Sequence, residues 1–140
     1  VVALDGVQDP GNVGTIVRLA AAFDCAGVLL LPGSADAYSP KAIRASVGAV
    51  LSVPIANATA ADLIRSGLPM FAADARGGSA SSVPADAIIV FGSEGRGVSD
   101  EIHSHSTPIA IPISPRVESL NVAASAAILL AKTYEVRRGR

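Results

Sequence analysis

The chain has 140 residues, which matches one domain at roughly 100–200 residues per domain and is enough to bury a core. Half of it is hydrophobic (50%), 16% is charged and the mean hydropathy is +0.47, which excludes a disordered chain; Asp, Arg, Lys, Gly or Pro interrupts every apolar stretch before the roughly 18–20 residues a membrane span needs. With 11 basic against 12 acidic residues the formal charge is −1 and the pI about 6.1, so any contact with a polyanion is local and not a matter of bulk charge.

Val1–Asp5 reads as the first strand. It has no initiator Met, basic lead-in or cleavage-site pattern, which points to no signal peptide and to a longer parent protein. A helix over Asn12–Asp24 follows, with Val13, Ile16, Leu19, Ala20 and Phe23 on one stripe facing the sheet. Arg18 lies opposite among the small residues Gly14, Ala21 and Ala22, a face suited to a partner surface. Cys25 is the one cysteine, so no internal disulfide forms and the expected compartment is the cytoplasm. Gly27–Leu31 is the second strand, and Pro40–Val47 and Ala60–Ser66 are helices. Pro69–Asp74 is a strand, Gly77–Ser82 a surface loop, Ala87–Gly92 a strand, Ser99–Ser104 a helix and Pro108–Ile113 a strand. The last helix, Leu120–Arg138, is apolar nearly all round and is expected to pack on a second subunit as well as on the sheet. Strands of continuous hydrophobicity alternating with helices predict an α/β fold, a mostly parallel sheet covered on both faces.

Three strand-to-helix junctions carry the chemistry. In the first, Asp9-Pro10-Gly11-Asn12 leads into the helix that bears Arg18. Helix-start amides bind anions, although Asn12 also serves as a plain N-cap. The spacing is neither G-x-G-x-x-G nor a Walker A loop. In the second, the strand ending at Phe91 runs into Gly92-Ser93-Glu94-Gly95-Arg96-Gly97. Glycines at alternate positions beyond a strand's carboxyl end suit backbone contact with a ligand, with Glu94 held inside. The third is Ile111-Pro112-Ile113 followed by Ser119-Leu120-Asn121 at the mouth of the final helix. His103 and His105 form H-x-H without a Cys or carboxylate cluster, so they read as surface histidines and no metal is expected. Arg137, Arg138 and Arg140 fit either a solvated tail or an RNA-touching patch.

Taken in order, Asn12-x5-Arg18, Gly92-Ser93-Glu94-Gly95-x-Gly97 and Ile111-Pro112-Ile113-x5-Ser119-Leu120-Asn121-Val122 resemble the three motifs of the SpoU/TrmH-type RNA 2′-O-ribose methyltransferases of the SPOUT class. Tyr38-Ser39-Pro40-Lys41-x2-Arg44-Ala45-Ser46-x-Gly48-Ala49 is similar to that family too. The resemblance implies a catalytic domain over residues 1–140 with a C-terminal deep trefoil knot, which periodicity alone would not predict. It also implies S-adenosylmethionine as methyl donor, a ribose 2′-hydroxyl of structured rRNA or tRNA as acceptor, and a homodimer. By position, Phe91, Gly92, Ile111, Ile113 and Leu120 correspond to cofactor contacts, and Asn12, Arg18, Glu94, Ser119 and Asn121 to catalytic or substrate-positioning residues.

Because the methyl of a sulfonium is already activated, the expected work of the protein is alignment. A guanidinium keeps its proton at any working pH, so Arg18 is assigned to a phosphate and to developing alkoxide charge, not to proton abstraction. Two other classes remain open from sequence: a non-catalytic RNA-binding subunit, and a nucleotide-dependent oxidoreductase, which the absent dinucleotide fingerprint disfavours. The near-neutral charge predicts that an RNA-binding footprint comes from a separate N-terminal domain, or from a dimer cleft gathering Arg18, Arg44, Arg96 and Arg116 of two chains.

Overall fold

The computed structural model describes residues 1–139. Its strands are β1 (Val2–Asp5), β2 (Val28–Leu30), β3 (Ile55–Asn57), β4 (Met70–Gly78), β5 (Ile88–Gly92) and β6 (Thr107–Ile109). The helices are α1 (Pro10–Ala22), α2 (Pro40–Ser46), α3 (Ala60–Arg65), α4 (Asp100–His103) and α5 (Val122–Arg138), with single 3₁₀ turns at Ala49–Leu51 and Ala80–Ser82. One sheet in the order β3-β2-β1-β5-β4-β6 holds all six strands, every pairing parallel. The mostly parallel α/β sheet expected from the sequence is therefore the fold.

Alternate residues of each strand feed two apolar layers, as the pleat requires. Val2, Leu4, Ile89 and Phe91 pack with Val13, Ile16, Val17 and Ala20 of α1 and with Val122, Ala126, Leu129 and Leu130 of α5. Ala3, Ile88 and Val90 point the other way, against Leu63 of α3 and Ile102 of α4. Both faces are covered, which is why the strand sequences lack a polar alternate.

Several boundaries differ from the sequence reading for local reasons. α1 begins two residues early because Asp9 is its cap, accepting the Gly11 N–H at 2.7 Å, and Pro10 occupies the first turn. Asn12 is thereby released from capping. α5 begins at Val122 because Asn121 is its cap. β3 is a three-residue edge strand too short and too polar for the apolar pattern to reveal. The stretch expected to be a loop from Gly77 instead extends β4 and then forms a 3₁₀ turn. β6 ends at Ile109, and Ile111 to Ile113 leave the sheet as extended chain.

Ile109 pairs with Ala73 and with Gly78, and Ala110 donates to the Gly78 carbonyl at 2.8 Å, so β4 bends around the end of β6. That bend bounds the site described below.

Two surface expectations change. Gly14 does not await another subunit: a Cβ there would lie 2.2 Å from the Ala42 carbonyl oxygen and 2.8 Å from the Ala45 Cβ, because α2 occupies that space. Gly14→Ala is expected to push α1 off α2 and destabilise the fold by about 1–3 kcal/mol, read as a lower urea midpoint at unchanged slope. Arg137 is no free tail residue either, since its guanidinium donates to the Phe23 and Asp24 carbonyls at the end of α1. Arg138 lies 5.8 Å over the Tyr134 ring, and Arg140 falls outside the described residues.

Candidate active site

A cleft of about 460 Å³ opens at the carboxyl ends of β4, β5 and β6 and the start of α5. In an open parallel sheet this is where strand ends and helix starts leave backbone polar groups and space for a ligand. Phe91, Gly92, Ile111, Ile113 and Leu120 all line it, although Ile111 to Leu120 are 19 to 28 residues further along the chain than Gly92. Glu94, Ser119 and Asn121 line it as well. The second and third sequence motifs thus meet in one hollow.

The first motif joins them through hydrogen bonds. Asn12 Nδ2 donates to Glu94 Oε1 at 2.9 Å, and Asn121 Nδ2 donates to Asn12 Oδ1 at 3.3 Å. Asn121 Oδ1 meanwhile accepts the Ala123 and Ala124 N–H groups at 2.8 and 3.2 Å. Its cap geometry thus fixes which way its amide donor points. Asn121 does two jobs at once, capping α5 and donating to Asn12.

Arg18 is not brought to the cleft within one chain. It is exposed on α1, about 9 Å further along the helix than Asn12 and roughly 120° round from it.

The glycine-bearing turn after β5 is closed by Ser93 and Gly97, which exchange backbone hydrogen bonds of 3.2 and 2.9 Å. Ser93 Oγ also accepts the Arg96 N–H at 3.1 Å. Two of its three glycines serve that turn itself: Gly97 has φ +69°, and a Cβ on Gly92 would collide with the Gly97 and Val98 backbone. Sequence reasoning had assigned them to ligand contact.

Sequence reasoning missed Asp74. It ends the strand as first drawn, and the rule that ligands sit beyond carboxyl strand ends would have found it. Asp74 lines the cleft with its side chain only 16% exposed. Its Oδ1 accepts the Arg76 N–H at 2.8 Å, and His103 Nε2 lies 2.8 Å from its Oδ2. The Arg76 backbone N–H and then the His103 ring hold its carboxyl down to about 2. His103 is therefore a half-buried partner of the cleft wall, not the plain surface histidine the H-x-H pattern suggested.

A carboxyl depressed in the folded state stabilises the fold above its ordinary range near 3.8 and loses that contribution as pH falls through about 2. Asp74→Asn is accordingly expected to lower stability at neutral pH by on the order of 1–2 kcal/mol. The gap to the parent chain should narrow below about pH 4 and close as pH falls through about 2 in acid titrations of the urea midpoint.

The cleft's chemistry is two-sided. Phe91, Ile109, Ile111, Ile113, Leu120, Val122 and Leu129 make an apolar lining, and Asp74, Glu94 and Glu118 contribute three carboxylates without a Lys, Arg or His among the lining residues. Among the described residues no three His, Cys, Asp or Glu side chains gather as a metal site, and no helix is long and apolar enough to cross a membrane.

Comparison with known proteins gives this geometry a context. The sequence model described as the SpoU rRNA Methylase family matches residues 1–131. A Synechocystis protein named as an uncharacterized tRNA/rRNA methyltransferase is 36% identical over 144 residues, covering 96% of this chain and 52% of that one. Among solved structures, an RNA methyltransferase of the TrmH family from Porphyromonas gingivalis superposes with TM-score 0.85 at 43% identity, over 94% of this chain and 57% of that one. An rRNA methyltransferase from Sinorhizobium meliloti with AdoMet bound superposes with TM-score 0.88 at 33% identity, over 99% of this chain and 55% of that one. The chain spans about half the length of most curated relatives it matches, and a quarter of another.

Proposed function

The chain belongs to the SpoU methylase family, and from that membership and the cleft we propose that it is the catalytic domain of an RNA methyltransferase. It moves a methyl group from S-adenosylmethionine to a ribose 2′-hydroxyl of structured rRNA or tRNA. The observation that carries this reading is the hydrogen-bonded line Asn121–Asn12–Glu94, which ties three distant motifs together at the mouth of one cleft. Family membership also implies the trefoil knot, and β4 bending round Ile109 is in keeping with it.

The cleft residues fit the donor. Its apolar side chains suit an adenine ring, the strand-end backbone at Gly92 and Ile111 suits the edge hydrogen bonds of that ring, and the carboxylates suit a sulfonium cation. When bound, the donor supplies a methyl group already activated on sulfur. The protein has then to align an incoming hydroxyl and stabilise the oxygen as its proton leaves. Asn12 and Asn121 hold Glu94 and each other in one orientation at the cleft mouth, and Ser119 adds a hydroxyl beside them.

Arg18 acts in this scheme as a phosphate and alkoxide ligand from a second copy of the chain, in keeping with its exposure away from its own cleft. The homodimer, a separate RNA-binding domain in the full protein and a cytoplasmic setting belong to the same proposal.

The test is calorimetric titration of the full-length protein with S-adenosylmethionine. It is paired with transfer of tritiated methyl to RNA lacking the modification and mass-spectrometric mapping of the product. Donor binding with a label on ribose oxygen is the expected result; a label on a base overturns the ribose assignment, and no donor binding overturns the reading entirely.

A further inference from the structure

The His103–Asp74 pair is not used by the site as described so far, yet it sits on the cleft wall. Of the three carboxylates lining the cleft, Glu94 and Glu118 are exposed and Asp74 is sheltered. Solvent screens the first two, so the field that an occupant feels comes mainly from Asp74. Both of its oxygens are directed by partners: the Arg76 N–H on Oδ1 and His103 Nε2 on Oδ2, each at 2.8 Å, while the solvent-exposed Arg76 guanidinium makes a longer contact with Oδ1 through Nε at 3.4 Å. Oδ2, with His103 as its one partner, retains acceptor capacity for an occupant.

Resting on the donor assignment above, we infer that Asp74 is the carboxylate that recognises the positive charge of S-adenosylmethionine. His103 is the positioning residue that aims it. The consequence is selectivity. The donor carries a sulfonium, an ammonium and a carboxylate, hence one net positive charge, whereas the thioether product has lost the sulfonium and is neutral overall. A site whose specificity lies in that charge holds the donor and lets the product go.

The groups around His103 set its role. Asp74 and Arg76 from β4, Arg96 from the glycine turn and Asp100 from α4 itself line one hollow behind the cleft wall. Next along α4, Glu101 offers its carbonyl to His105 Nδ1 at 2.9 Å. α3, packed on α4, pairs its Asp62 with its own Arg65 at 2.6 Å. His103 is the member of this set with an imidazole against Asp74. Its hydrogen bond holds Oδ2 in place, and losing that bond frees the carboxylate to turn from the cleft.

Titration calorimetry of the full-length protein with S-adenosylmethionine and with S-adenosylhomocysteine tests this at neutral pH, for the parent chain, Asp74→Asn, His103→Gln and His103→Ala. Asp74→Asn keeps an oxygen for the Arg76 N–H, removes the charge and presents an amide N–H to His103 Nε2 in place of Oδ2. It should weaken donor binding by on the order of tenfold and leave the product within about twofold. His103→Gln keeps a donor in place of Nε2 without an imidazole. It should retain the preference for donor over product, whereas His103→Ala, with no group to hold Oδ2, should lose much of it.

Equal weakening of both ligands by Asp74→Asn, or a donor preference in His103→Ala equal to the parent's, overturns the inference and leaves the methyltransferase reading standing. A parent chain that binds neither ligand removes both. Circular dichroism and urea midpoints confirm that each variant is folded before its affinities are compared.

Discussion

Asn12→Ala is expected to reduce single-turnover methyl transfer by on the order of 10²-fold, the scale of losing one preorganised polar group at a reacting centre. Donor affinity should be nearly unchanged, because Asn12 does not line the cleft and reaches it only through Glu94 and Asn121. Stability should fall by no more than about 1 kcal/mol, since both hydrogen bonds are exposed and the capping of α1 belongs to Asp9. The informative companion is Asn12→Asp. It keeps the acceptor for Asn121 but replaces the donor to Glu94 by a second negative charge, so Glu94 is driven away and the rate should fall at least as far as in the alanine variant. A large loss of urea stability with normal turnover in Asn12→Ala would mark the line Asn121–Asn12–Glu94 as structural only.

All three members of that line were visible in the sequence, and their contact was not. Asn12, Glu94 and Asn121 each stand at a strand-to-helix junction, a place legible from apolar runs and glycine punctuation. That they touch is a matter of sheet order, because β5 lies between β1 and β4, and α5 returns to α1. Strand order is long-range information that periodicity does not carry; what the family resemblance supplied was the expectation that the three motifs serve one site. Asp74 was hidden for another reason: a carboxylate at a strand end reads as a turn residue until its partner is known, and His103 is 29 residues away. Gly14 was misread because a small residue on a helix invites close approach without saying by what, and α2 turned out to be the neighbour. The dimer face on α5 has no comparable observation behind it, and it stands with the proposal.

Gly92→Ala should have the larger effect on donor binding, with a loss on the order of 10²-fold or more and a destabilisation of about 2–4 kcal/mol. A Cβ at this position would lie 2.0 Å from the Gly97 carbonyl carbon, 2.1 Å from the Val98 nitrogen and 2.3 Å from the Gly97 oxygen. All three are backbone atoms, and no rotamer change relieves the clash. Neither side can yield cheaply. Gly92 is buried at the end of β5 in register with Asp5, and Gly97 is held by the paired hydrogen bonds to Ser93. Relief therefore requires opening the turn, which carries Ser93 and Glu94 away from the cleft they line. Gly95→Ala is the control within the same turn: its Cβ would meet nothing within 4 Å and its φ is not left-handed, so stability should change by less than about 0.5 kcal/mol. If both variants bound S-adenosylmethionine as the parent does, the closed turn would not be what shapes the site. A loss confined to Gly92→Ala ties donor binding to the one backbone contact that excludes a side chain.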